Sequence, residues 1–582
     1  MEAGNTLERR KNLDIMRGSL DLERSSFLPH WRDIADLTMP RRAKFYTSDV
    51  NRGDRRNQKI IDSTATMAAR TLRSGMMSGV TSPARPWFKL TTSDPDLASY
   101  GPVKNWLEIV DRRMSTAFLR SNLYNVLPII YGDIGNFGTS AMSIEEDFNN
   151  VLHFSPFPLG SFYISTNDKL KVDCFMREFR MTVRQIVSKF GVNQARPGKI
   201  DWSRISSQVK NLYDNGQKEA WIEVTHAIYP NEMYRPGNPL SQYKKYASVY
   251  YERGISTGGS SYLTGDDMGK ILSEKGYDFF PIMAPRWEVS GEDAYGTDCP
   301  GMMALGDNKQ LQVGEKMSAQ AVEKMIKPPM IGPTSLRQQK ASILPGDITY
   351  VDTREGMQGF RPAHEINFNI QALEMKQEQV RMRIKRAYFE DLFLMLASSD
   401  RRQITAREID ERHEEKLLAL GPVLEQLNQD LLDPLIDNSY AIMDAQGYIP
   451  PAPEEIAGQA LKIEYVSIMA QAQKLISIGS VDRFTGFVGN LMQAAPEAKD
   501  KIDIDKLVDV YGDFLSIPSG IIRPDDDVEK RRQAMVAAQR QQMQMQQAQV
   551  VTQSAKQLSD TNLESDNALT RILDQANAGT LV

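Results

Sequence analysis

Leu311-Gln-Val-Gly-Glu-Lys-Met-Ser-Ala-Gln-Ala-Val-Glu-Lys-Met-Ile-Lys-Pro-Pro329 is the stretch that decides the fold. Helix formers fill it and no Pro interrupts it before Pro328, so it reads as the later part of a long helix from about Met302 to Ile326. Leu311, Met317, Ala321 and Met325 fall near one face. Pro328 and Pro329 end the helix, since neither offers a backbone donor. Met330 to Phe360 is a strand-like segment punctuated by Pro and Gly. From Ile366 the helical pattern returns and runs to about Met395, with Leu373, Val380, Ile384 and Tyr388 on one stripe. At about 1.5 Å per residue the two helices are roughly 37 and 45 Å long. Helix, small β insertion, helix makes an elongated hairpin. Leu396-Ala-Ser-Ser-Asp-Arg-Arg-Gln-Ile404 follows as a polar connector.

On the N-terminal side the pattern differs. The first 60 residues read as helical and basic. Trp31, Ile34 and Leu37 share a stripe that Pro40 closes. Arg41 to Lys59 carries Arg41, Arg42, Lys44, Arg52, Arg55, Arg56 and Lys59 against only Asp49 and Asp54. That segment fits a phosphate contact, a solvated loop or a subunit contact. Asp62 to Met77 reads as a helix, and Thr71 to Leu90 overlaps its end as a tight loop rich in Gly, Ser and Pro. Between Phe148 and Tyr295 strands dominate: Lys171 to Phe179, Trp221 to Tyr229 and Tyr246 to Tyr251. One helix interrupts them, announced by the capping box Thr182-Val-Arg-Gln185. Gly254 to Gly269 reads as a surface loop.

On the C-terminal side, Thr405-Ala-Arg-Glu408 is a second capping box, starting a helix to about Leu420. Helical pattern continues to about Phe514. Past Pro524 come Asp525, Asp526 and Asp527, then Gln-Gln-Met-Gln-Met-Gln-Gln (541–547). This tail is open to a polar helix, a coiled coil or disorder. The fold class is therefore α+β, mainly helical, and 582 residues suggest about four domain-sized units.

Hydrophobic residues at 41% and charged residues at 25% exclude a wholly disordered chain. Two cysteines, Cys174 and Cys299, exclude a disulfide framework, and each reads as a buried, inert thiol. No apolar run approaches the roughly 18 residues of a membrane span. The start has Arg9, Arg10 and Lys11 with no apolar core behind them, unlike a secretory signal. A net charge of −5 means that any DNA contact comes from local patches or an enclosing shape. No P-loop sequence occurs. Gly132-Asp-Ile-Gly-Asn-Phe-Gly138 fits no nucleotide fingerprint and reads as a packing or turn device. The five histidines are scattered, with no metal spacing, and no cofactor is expected. Nothing assembles a nucleophile, a base and an oxyanion site.

Four blocks nonetheless form a pattern. They are Leu72 to Leu90, Tyr131 to Ala141, Pro285 to Gly301, and Thr405 to Ile409 continued by Gly421 to Leu427 and Pro434 to Asp437. In them the chain resembles the portal (head-to-tail connector) proteins of tailed bacteriophages, of the short-tailed phage type. The resemblance implies a ring of about twelve copies at one capsid vertex. The ring would pass double-stranded DNA during packaging and ejection, dock the terminase large subunit, and later hold tail adaptor proteins. Capsid and scaffolding proteins are further implied partners, the virion the implied location after assembly in host cytoplasm, and no membrane is involved. It implies a wing over 1–300, a stem of 301–326 and 366–395, a clip over 327–365, a tunnel loop over 396–404, a helical wing and crown region over 405–524, and a tail over 525–582 that is a helical barrel or disordered. Such a protein is not an enzyme.

The channel candidates are Lys376, Arg381, Arg383, Lys385 and Arg386. Glu378 with Arg381 and Arg386 with Glu390 have helix-surface ion-pair spacing, whereas Lys376, Arg383 and Lys385 have no acidic residue three or four positions away. The tunnel-loop candidates are Ser398, Ser399, Asp400, Arg401 and Arg402. The clip candidates for docking terminase or adaptors are Lys327, Arg337, Lys340, Arg354 and Arg361. A head-tail adaptor that forms no ring and a DNA-processing packaging enzyme are the competing readings.

Overall fold

The computed structural model describes residues 3–42, 44–45, 55–94, 97–98, 100–192, 199–253, 269–328, 330–331, 361–362, 370–399, 420–456, 458, 461–466 and 528–544. Arg337, Lys340, Arg354, Asp400, Arg401, Arg402 and the Thr405 capping box lie outside them. The chain divides into two compact units, 1–98 with 102–477 and 99–101 with 478–582, rather than about four. In the second, 528–544 form a helix exposed from Glu529 onward.

The first unit is built on small residues. In α3 (Thr64–Val80), Ala65, Ala68, Ala69, Gly75 and Gly79 are buried beside Leu72 and Met76. Two helices use the room this leaves. Helix Leu123–Phe137 crosses where Gly135 meets Leu72; a Cβ on Gly135 would lie 2.6 Å from Leu72 Cδ2. Helix Glu390–Ser399 crosses at Gly75, where a Cβ would lie 2.2 Å from the Phe393 ring. Beyond α3, β1 (Phe88–Thr92) pairs antiparallel with Leu461–Tyr465, Leu90 opposite Ile463. Both strands correct the loop and helix expected there. Leu461-Lys-Ile-Glu-Tyr465 alternates apolar and polar, the strand period, inside a stretch whose surroundings read as helical. β2 (Ala141–Asp147) and β3 (Val151–Phe157) form a hairpin joined by Ile282–Met283.

Beyond it, β4 (Phe162–Thr166), β5 (Val172–Thr182), β6 (Trp221–Pro230), β7 (Tyr246–Glu252) and β8 (Ile271–Tyr277) make an antiparallel sheet in chain order. The Thr182–Gln185 capping box forms as expected, both reciprocal bonds being present. One sheet face receives α1 (Ala3–Ser25), which α2 (Leu28–Leu37) follows. Its Arg10, Arg17 and Arg24 recur every seven residues and so share a face. Arg10 lies 4.0 Å over the Tyr251 ring and Arg24 3.9 Å over the Tyr163 ring, while Arg17 Nη1 reaches Glu178 Oε1 at 3.2 Å. Leu13 and Leu20 are buried between them. The basic start of the chain is thus committed to its own sheet through cation–π and ionic contacts.

Of the long helices, the first runs Leu305–Ile326, behind a separate turn at Pro300–Met303. Only Leu311 of its expected stripe is buried; Met317 and Met325 are exposed. Met330–Ile331 and Arg361–Pro362 pair antiparallel beyond it. The second helix, Ile370–Ala387, buries Val380 and Ile384 of its expected stripe, with Tyr388 buried just past its end and Leu373 half-buried. It stops short of Met395, however. Tyr388 and Phe389 form a turn, with Phe389 at φ 54°, and a new helix runs Glu390–Ser399. Residues 396–399 of the expected connector are therefore helical. No Pro or Gly marks the break. A left-handed Phe costs about 1–3 kcal/mol, and packing holds it here: Phe393 in the Gly75 notch and Tyr388 bonded to Asn136.

Gly75→Ala should destabilise the chain by about 1–3 kcal/mol in denaturant titration, and Gly75→Ala with Phe393→Leu should lose less than the two single changes summed. A second prediction concerns Asp111, which accepts from Leu90 N at 3.0 Å. Burial pushes its carboxyl from 3.8 up to about 7. Between those values the folded chain holds a proton that the unfolded chain has released, so stability falls as pH rises through that window and stays lower above it. Asp111→Asn removes this loss. Its melting temperature should exceed the parent's by a few degrees at pH 8 and by less at pH 4.

Candidate nucleic-acid interface

The two long helices lie side by side, with polar contacts along their length. Gln377 Nε2 donates to Ser318 Oγ at 2.8 Å, Arg381 Nη2 lies 2.5 Å from Glu315 Oε1, and Arg383 Nη2 lies 2.7 Å from Asp307 Oδ1. These pairings sort the candidate cations. Arg381 also reaches Asp62 at 2.9 Å and Glu378 at 3.2 Å. Hydrogen bonding to Asp62 outweighs desolvation and raises its pKa above the ordinary value. Arg383 lacks an acid at helical spacing but finds Asp307 on the other helix, a pairing that local spacing cannot reveal. No ion pair joins Arg386 to Glu390, because the helix breaks between them.

Lys376, Lys385 and Arg386 have no ion-pair partner among the described residues. They do not share a surface: nine residues place Lys376 and Lys385 about 180° apart around the helix. Arg386 stands away from the buried Val380–Ile384 stripe, on the side of the exposed Met375 and Met382. On the first helix Val313 and Met317 are likewise exposed, at 52% and 63%. Lys327 is exposed just past the end of that helix, Arg361 pairs with Ile331 in the short strand ladder, and Ser398 and Ser399 occupy the last helical positions before residue 400.

At the foot of the pair, one glutamine ties down the start of α3. Gln312 Oε1 accepts from the backbone of Ile61 at 2.7 Å and Asp62 at 2.9 Å, while its Nε2 donates to Asp62 O and Asn308 Oδ1, both at 2.9 Å. Nearby, the blocks singled out in the sequence converge on residues 136–139. Tyr388 Oη donates to Asn136 Oδ1 at 2.9 Å, and Trp31 Nε1 to Phe137 O at 3.1 Å. Trp287 N donates to Gly138 O at 2.9 Å, and Gly296 N to Thr139 Oγ1 at 2.8 Å. A Cβ on Gly296 would lie 2.1 Å from Gly138 O, and one on Gly301 2.2 Å from Asn136 O. The glycine run 132–138 is thus the packing device its sequence suggested.

Two ion pairs brace this junction. Arg286 grips Asp430 with two bonds, of 2.9 and 3.2 Å, and both side chains are largely buried. Arg42, from the basic segment read as open to phosphate, instead holds the buried Asp133 at 2.6 Å. Burial still raises the Asp133 pKa, against the pull of Arg42. Sequence reasoning missed both pairs, whose members lie far apart in the chain. At the junction Cys299 is buried and its thiol is pushed up to about 12, as is that of Cys174 elsewhere in the unit. Among the described residues no helix is long and apolar enough to cross a membrane, and no group of three or more His, Cys, Asp or Glu is placed to hold a metal ion.

Comparison with known proteins finds a family and two curated relatives. The family described as bacteriophage head to tail connecting protein matches residues 10–522. The portal protein of Salmonella phage epsilon15 is 46% identical over 556 residues, 96% of each chain. A probable portal protein of Bordetella phage BPP-1 is 39% identical over 568 residues, 97% of this chain and 98% of the relative. A family match over most of the chain, with two relatives aligned along nearly their whole length, places this protein in the bacteriophage head-to-tail connecting protein family.

Proposed function

We propose that this chain is a portal subunit, about twelve copies of which stand side by side as a ring at one capsid vertex and enclose a passage for double-stranded DNA. The observation that carries the proposal is the near full-length similarity to the epsilon15 portal protein. The paired helices support it. Val313, Met317, Met375 and Met382 leave apolar surface in water on a lone copy, which neighbouring copies would cover. A head-to-tail contact repeated by rotation closes into a ring.

Duplex DNA carries about one negative charge per 1.7 Å of axis, so every fixed cation along a channel strengthens binding and acts as a brake. A chain of net charge −5, with Arg381 and Arg383 held by its own acids, suits passage over grip. Arg386 is the cation we assign to the channel, with Lys376 or Lys385 turned toward a neighbouring copy. Residues 327–365 form the clip, whose Lys327, Arg337, Lys340, Arg354 and Arg361 dock terminase or tail adaptors. The stretch 396–404, with Ser398 to Arg402, narrows the channel and holds DNA after packaging. Residues 1–300 and 405–524 form the wing and crown that meet capsid and scaffolding proteins. The chain itself performs no chemistry; a separate terminase supplies the force.

Negative-stain microscopy of purified protein should show perforated rings of about twelve copies. A small oligomer without a hole would identify an adaptor instead, and ATP- or metal-dependent turnover an enzyme. Deleting Ser398–Arg402 should leave rings intact while packaged genomes leak, measured as nuclease-protected DNA per particle; full retention would remove the tunnel-loop role. Arg386→Gln should leave rings intact, weaken their binding to duplex DNA several-fold and flatten its salt dependence. An unchanged salt slope would take Arg386 out of the channel.

A further inference from the structure

The sheet face opposite α1 carries two separate apolar clusters. One centres on Phe157, Phe162, Phe175 and Ile228. The other centres on Val183, Ile186, Val224 and Leu272. Between them runs a polar row set by strand register: Arg177 on β5 opposite His226 on β6, and His226 opposite Tyr250 on β7. His226 stacks on Tyr250 at 3.7 Å between ring centroids, 9° from parallel, and its Nε2 lies 2.9 Å from Ser248 Oγ. The Arg177 guanidinium is sandwiched 4.0 Å from the Phe179 ring centre and 4.7 Å from that of Phe157. Lys189, from helix Val183–Phe190, places its ammonium 4.8 Å over the Tyr250 ring.

This row is short of negative charge. No hydrogen bond or ion pair with a described residue reaches Arg177, and its Nε is shut away from water without an acceptor. Lys189 has no ion-pair partner among the described residues either. The charged groups facing the row from neighbouring elements are Glu145 and Glu146 on β2 and Lys275 on β8. Arg177, Lys189 and Lys275 thus outnumber the two exposed carboxylates. The aromatic sandwich stabilises the guanidinium charge but supplies no acceptor for its N–H groups.

We propose that this seam is an oxyanion-binding site that takes a phosphate-type group, with the Arg177 fork and the Lys189 ammonium as its donors. Arg177 would offer planar paired N–H groups and Lys189 a mobile point charge, the combination that suits a tetrahedral dianion. Two sources share that chemistry, a free phosphate and the backbone of a nucleic acid.

Isothermal titration of the full-length protein with inorganic phosphate, at constant ionic strength in chloride, tests the site. Saturable binding at one site per chain is expected. Lys189→Met should weaken it about tenfold and Arg177→Gln more, while Arg177→Lys, which keeps the charge and loses the fork, falls between them. Lys189 is exposed, so its variant should melt with the parent and keeps the test independent of folding. If a short duplex at matched phosphate concentration competes, the bound group belongs to nucleic acid; if only free phosphate binds, the ligand is a small anion. Absence of saturable binding by both probes, or equal affinity in the parent, Lys189→Met and Arg177→Gln, would overturn the proposal.

Discussion

Four consecutive residues, Asn136 to Thr139, carry the architecture of the first unit. Helix Leu123–Phe137 ends there at Gly138, whose φ of 75° turns the chain into β2. The freed backbone groups become attachment points: Trp31 bonds Phe137 O, Trp287 N bonds Gly138 O, and the chain around Gly296 and Gly301 lies directly against the same backbone. A buried carbonyl must be satisfied, and here segments from distant parts of the sequence satisfy it. Contact this close leaves no space for a Cβ at Gly296 or Gly301, which is why glycine occupies both.

The broken second helix follows from that anchor. Tyr388 reaches down to Asn136, Phe393 fills the notch at Gly75, and the strained Phe389 lies between them. A continuous helix would keep ideal backbone geometry but could not deliver both side chains to fixed points on different helices. Packing outweighs local preference by more than the strain costs. The hairpin above is therefore not an independent rod. Its foot is tied to α3 through Gln312, Asn308 and Asp62, and to the junction through Tyr388.

Charge is managed the same way. Many arginines are committed within the fold: Arg10, Arg17 and Arg24 on the sheet, Arg42 on Asp133, Arg286 on Asp430, Arg381 and Arg383 on acids near the hairpin foot. A guanidinium can stack, fork and remain charged when half-buried, so it serves as a structural clamp as readily as a phosphate contact. The cations left without an ion-pair partner on the described part of the second long helix are Lys376, Lys385 and Arg386, spread around its circumference.

The sequence by itself determined the elements whose cause is local. Periodicity placed the Val380–Ile384–Tyr388 face, alternation placed β5 to β7, the Thr182–Gln185 spacing capped a helix, and the glycine run 132–138 declared close packing. Each rests on residues within a few positions of one another. Only the tertiary structure decided where Phe389 breaks a helix, that Leu461–Tyr465 is a strand, and which cations are already neutralised. Those outcomes depend on partners tens to hundreds of residues away: a strand needs its neighbour's hydrogen bonds, strain needs a compensating pocket, and an arginine's charge counts for little outside once a distant carboxylate has met it.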